Sequence, residues 1–143
     1  MGGKVDKIFF IPCAAHTLNL TVADAAKISV ETISFFHIVQ ELYNFFSVST
    51  KRWDILIQYI KITLKPLCAT RWESKVNALH PLRYELSHIL DALIDIYESS
   101  HFDNTTKHEA KALAQKIKEF EFVCSIILWY NILSRINVVS KIF

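Results

Sequence analysis

The sequence predicts a mainly α chain in which one short N-terminal strand is followed by about five helices. Two observations carry that expectation. Apolar residues recur at spacings of three and four from residue 18 to the chain end. The one segment that breaks this period is Lys7-Ile8-Phe9-Phe10-Ile11-Pro12, a short continuous apolar run of the kind that forms a strand covered on both faces.

The helices follow in order. After Pro12, Cys13 to Lys27 carries Leu18, Val22 and Ala25/Ala26 on one face. Glu31 to Ser47 has a stripe of Ile33, Phe36, Val39, Tyr43 and Phe46, widened by Phe35, Leu42 and Phe45. Ser49 or Thr50 can cap a third helix that buries Trp53, Leu56, Ile60 and Leu64 until Pro66 interrupts it. A fourth begins near Glu73, bends at Pro81, and keeps Leu79, Leu82, Leu86, Ile89/Leu90, Leu93 and Tyr97 in register. Ser99 to Thr106 is the one clear loop. Thr105 or Thr106 then caps a last helix that would run to the chain end, roughly 55 Å long. In its first half Leu113, Ile117 and Phe120 face inward and Lys111, Gln115, Lys116 and Lys118 outward. From Phe122 to Val139 it is apolar on nearly every side.

Composition removes several function classes. The 143 residues are 52% hydrophobic and 21% charged, which excludes a disordered or collagen-like chain. The only glycines are Gly2 and Gly3, so phosphate-binding loops, dinucleotide fingerprints, nucleophile elbows and EF-hand loops have no glycine to turn on. No small-molecule substrate is expected. Cys13, Cys68 and Cys124 are an odd number without a pairing pattern, which suits a reducing compartment. The start of the chain lacks a signal-peptide pattern. The apolar stretches are interrupted by Glu, Lys, Arg or Asn, so no membrane association is expected and the default is a soluble intracellular protein.

Three groups of residues could carry chemistry. Cys13-Ala14-Ala15-His16 sits where strand meets helix, and could offer two zinc ligands with Cys68 as a third, or a cysteine–histidine pair. No second ligand pair and no orienting third residue accompany it, and the plainer account is a buried Cys beside a partly exposed His. Lys51 to Lys75 carries a net charge of +4, from Lys51, Arg52, Lys61, Lys65, Arg71 and Lys75 against Asp54 and Glu73. The rest of the chain sums to −2. Trp53, Tyr59 and Trp72 are interleaved with those cations, the footprint of nucleic-acid binding, although a helix with a solvated lysine face has the same pattern. Asp91 and Asp95 lie one helical turn apart, a spacing shared by many solvated pairs.

In combination these residues are more specific. Cys13-Ala14-Ala15-His16-Thr17-Leu18-Asn19-Leu20, Ser49-Thr50-Lys51-Arg52-Trp53 and Leu67-Cys68-Ala69-Thr70-Arg71-Trp72-Glu73-Ser74 closely resemble the hAT superfamily of DNA transposases. The resemblance is nearest to the branch with the zinc-finger MYM-type proteins, and it extends along essentially the whole chain. It implies a piece of an RNase H-like α/β fold with a helical insertion: residues 1–72 as a partial core and 73–143 as insertion. It also implies a nuclear protein whose motif residues are Cys13, His16, Arg71 and Trp72, with His16 near a scissile phosphate and Arg71 and Trp72 near a DNA end. Lys51, Arg52 and Lys75 would add backbone contacts.

The match lacks the family's acidic triad. The family's first two aspartates precede the Cys-x-x-His run and its glutamate follows the insertion, so no residue here can be assigned as a ligand for Mg or Mn. The expectation is therefore a catalytically incompetent transposase fragment with residual DNA affinity and no cofactor of its own. The alternative is a helical protein–protein interaction module that uses the apolar C-terminal helix. A lone strand without sister strands and an over-apolar last helix both predict a part of something larger.

Overall fold

The computed structural model describes residues 30–142 except residue 69. Five helices fill that span: α1 Val30–Ser47, α2 Thr50–Tyr59, α3 Trp72–Glu98, α4 Asn104–Lys118 and α5 Phe120–Ile142. No strand occurs among the described residues. The expected strand at Ile8–Ile11 and the expected helix from Cys13 to Lys27 lie outside them. Helix α3 is the hub, packed on α2, α4 and α5, while α1 lies across α2, α4 and α5.

In α1 the buried set is Phe35, Val39, Leu42, Phe45 and Phe46. The helix is therefore rotated from the expected stripe: Ile33 is 52% exposed, and Phe36 and Tyr43 are half-buried. Aromatic contacts to α5 set this angle, with Phe35 and Phe122 ring centroids 5.2 Å apart and Phe36 and Trp129 5.6 Å apart.

Helix α2 opens at Ser49, whose hydroxyl accepts the Arg52 N–H at 3.4 Å. It ends earlier than the sequence predicts. The backbone turns extended at Ile60 (φ −112°, ψ 150°), well short of Pro66. A buried carboxylate accounts for the difference. Glu85 accepts the N–H groups of Lys61 (2.7 Å) and Ile62 (3.2 Å), which a continuing helix would have turned toward its own carbonyls. Leu56, Ile60 and Leu64 are buried as expected, the last two beyond the end of the helix, whereas Trp53, also expected inside, is half-buried.

Helix α3 keeps Leu79, Leu82, Ile89 and Leu93 in the core. Its bend lies at Glu85 (φ −128°, ψ 23°), one turn beyond the expected Pro81, where the buried carboxylate reaches out to residues 61 and 62. Tyr59 at the end of α2 donates to Asp95 Oδ2 at 2.8 Å. That bond, followed by burial and the nearby carboxylates, raises the phenol above its usual range.

The expected single last helix is two helices. Its cap is Asp103, whose Oδ1 accepts the Thr106 N–H at 3.1 Å, in place of the expected Thr105 or Thr106. The chain then breaks at Glu119 (φ −61°, ψ 137°), where the N–H bonds to Lys116 O at 3.3 Å. The reason is phase. Continuing the buried row Ala110–Leu113–Ile117 along a straight helix would bring Cys124, Leu128, Asn131 and Arg135 inward, and so bury an amide and a guanidinium. After the break Phe122, Ile126 and Leu133 face the core, and Phe120, expected inside, is 79% exposed. Among the described residues one helical window, Phe120–Val139, is long and apolar enough to cross a membrane by length and composition, and 17% of it is buried within the protein.

Candidate nucleic-acid interface

The link between α2 and α3 has no regular secondary structure, yet side chains from two helices hold it. Glu85 takes the two N–H groups at its start. Gln40 of α1 accepts the Leu67 N–H at 2.8 Å, and Gln40 Nε2 is itself oriented by Asn44 Oδ1 at 2.9 Å. Ser74 of α3 closes the link: its hydroxyl accepts the Cys68 N–H at 2.7 Å and donates to the Cys68 carbonyl at 3.1 Å. Buried Ile60 and Leu64 supply apolar anchors below.

Above these anchors lies an open cleft of about 410 Å³ lined by Lys65, Pro66, Cys68, Thr70, Arg71, Ser74 and Asn77. Lys65 and Arg71 are exposed at its edge. Arg71 is also the N-cap residue of α3, in extended backbone (φ −122°, ψ 125°). From Lys61 to Lys75 the net charge is +3. Two exposed cations beside the Asn77 amide suit an anion with several acceptor oxygens.

The residues expected to bind DNA are not all at this cleft. Arg71 lines it. Lys75, half-buried one turn into α3, holds its ammonium 5.8 Å from the centre of the Trp72 ring. Trp72 is 7% exposed and belongs to the core, with its Nε1 buried and lacking an acceptor. Lys51 and Arg52 sit at the far end of α2. Lys51 donates to His101 O at 2.6 Å and lies over the Phe102 ring. Arg52 is half-buried and bridges two helices, donating to Phe45 O at 3.0 Å and Thr106 Oγ1 at 2.9 Å. Cys13 and His16 lie outside the described residues. Lys65, Thr70 and Ser74 belong to the basic segment and motif the sequence singles out, whereas nothing in the sequence marks Asn77 as a lining residue.

Cys68 has a thiol held below its usual range. The Thr70 hydroxyl, 3.4 Å from Sγ, is the main cause, followed by the Thr70 N–H and the Arg71 charge. A lower pKa leaves more thiolate at any pH beneath it. Iodoacetamide at neutral pH is therefore expected to alkylate Cys68 several times faster than the exposed Cys124. Peptide mass mapping checks this, and the gap should narrow as pH rises past the ordinary thiol range. A Thr70→Ala variant should reduce it.

Among the described residues no group of three or more His, Cys, Asp or Glu side chains is placed to hold a metal ion. Those residues do not fit a two-metal site. Asp95 is taken by Tyr59 and Asp91 is exposed. A cluster that the sequence does not announce joins α3 to α5: His80 Nδ1 and Tyr130 Oη are 2.9 Å apart, and the Tyr84 ring packs edge-on against both. Burial is the first cause that pushes the Tyr130 hydroxyl up. No family model matches the chain, and neither a curated protein nor a solved structure is significantly similar to it.

Proposed function

We propose that this chain is a transposase-derived segment of hAT type that contacts the phosphate backbone of DNA through the cleft between Lys65 and Asn77. The observation that carries the proposal is the coincidence of two things. The Leu67–Ser74 run that bears the family resemblance lines the same cleft in which Lys65 and Arg71 are exposed around hydroxyl and amide groups. Such a surface suits sequence-tolerant contact, because phosphate contacts position a protein on DNA and carry no base information. On the same reading the protein works in the nucleus. The activity proposed for this stretch is binding, since none of its residues is assigned to the family's acidic triad.

Fluorescence anisotropy with a short labelled duplex tests this. Affinity should fall as salt rises from about 50 to 200 mM, with a log–log slope near −0.9 per neutralised phosphate. The Lys65→Ala/Arg71→Ala pair should flatten that slope by about two and weaken binding roughly tenfold or more. Both sites are exposed, so the helical circular dichroism should not change. Binding that ignores salt and this double variant would sink the proposal. Trp72→Ala is a poor probe, because its ring belongs to the core.

A further inference from the structure

Helix α5 carries apolar side chains on two opposite faces. Ile126 and Leu133, 2% and 1% exposed, point into the core. Diametrically opposite, Cys124, Leu128, Asn131, Arg135, Val138 and Ile142 are all exposed. They follow one another at alternating steps of four and three, the seam of a two-stranded helical pair. Leu128 is 56% exposed, Val138 61% and Ile142 75%, with Ile127 and Val139 flanking them at 40% and 39%. Cys124, Leu128, Val138 and Ile142 take four of the six seam positions, where a helix that met only water would carry polar residues throughout.

The order of residues along the seam selects the occupant. Laid antiparallel on a copy of itself, about an axis level with Leu133, the seam brings Leu128 opposite the partner's Val138 and Cys124 opposite the partner's Ile142. The two central layers then match polar with polar, since Asn131 meets the partner's Arg135 and the amide oxygen can accept from the guanidinium. Laid parallel, Arg135 would face the partner's Arg135, two like charges in one layer. Covering the exposed apolar side chains removes on the order of 500 Å² per copy, about 1,000 Å² for a pair, near the lower bound for a specific interface.

We propose that α5 forms an antiparallel, two-fold pair with α5 of a second copy of this chain. The pairing is independent of the DNA contact, which lies on the α2–α3 link.

Sedimentation velocity across about a hundredfold range of concentration tests it. The expected result is a reversible dimer. Leu128→Asp should raise its dissociation constant about a hundredfold or more with far-ultraviolet circular dichroism unchanged, since the site is exposed. Arg135→Leu should weaken the pair roughly tenfold by leaving the partner's Asn131 facing an alkyl group, and adding Asn131→Leu should restore it. A monomer at every concentration overturns the proposal, as does a dimer indifferent to Leu128→Asp. Tightening by Arg135→Leu alone overturns the antiparallel order. A monomer that sediments only with phosphatidylcholine vesicles assigns the face to a bilayer and overturns it too.

Discussion

Replacing Glu85 by alanine is expected to lower the unfolding free energy by about 3 kcal/mol and the melting temperature by roughly 10 °C. Glu85 is 7% exposed, and its carboxylate accepts the N–H groups of Lys61 and Ile62 at 2.7 and 3.2 Å. Hydrogen bonds to a charged acceptor contribute about 1.5–3 kcal/mol each, the lower end applying here because Lys61 is open to water on its side-chain face. Glu85→Gln should fall between wild type and alanine: its oxygen can serve one N–H, but its amide nitrogen then faces the other donor. Urea titration followed by circular dichroism measures both changes. A nearly neutral Glu85→Ala would mean that burial of Ile60 and Leu64 alone holds the link. The same substitution should also weaken the proposed DNA contact without removing a cation, because the loosened link carries Lys65.

The second large effect is expected at Arg52. Its guanidinium ties the last turn of α1, through Phe45 O, to the first turn of α4, through Thr106 Oγ1, and lies 4.6 Å from the centre of the Phe45 ring. Arg52→Ala removes both bonds and the ring contact together, for about 2–3 kcal/mol. Arg52→Lys should recover less than half of that, since one ammonium cannot span two acceptors set for a planar fork. Thermal denaturation gives the magnitude. Hydrogen exchange should show the lost protection concentrated at the start of α4. If Arg52→Ala instead left stability intact and only weakened DNA binding, the residue would belong with Lys65 and Arg71 in the proposed contact.

How far the sequence discloses this molecule differs from one element to the next. Leu56, Leu79, Leu82, Ile89 and Leu93 are buried where a period of 3.6 puts them. The end of α2 is not legible in the same way, because it depends on Glu85, more than twenty residues away, capturing backbone groups that local propensity would have kept in a helix. The split at Glu119 is hidden for a related reason. Its residues are good helix formers, and only the phase of the burial on either side shows that one straight rod cannot satisfy both halves. Of the site residues, Lys65 and Arg71 are visible as charge and Thr70 and Ser74 as parts of a motif. Trp72 is misleading in one dimension, since a tryptophan beside an arginine looks like a stacking platform until its burial is known. Arg52 is misleading too, because the partners that occupy it are seven and fifty-four positions away.

The junction at Glu119 acts as a rotation setting. Each residue of an α-helix turns about 100° around the axis. Deleting or adding one residue between Lys118 and Phe120 would therefore swing α5 by more than a quarter turn while leaving its composition almost unchanged. Because α5 carries apolar residues around most of its circumference, a helix turned by that angle would still present some of them to the core, in place of Phe122, Ile126 and Leu133. It would exchange which side chains face inward and which face neighbours. The Ser99–Asp103 loop has no such leverage, since extra residues there can bulge without turning either helix. Length variation among natural variants of this chain should therefore collect in that loop and avoid the two positions flanking Glu119, where one codon gained or lost changes what the surface offers to other molecules.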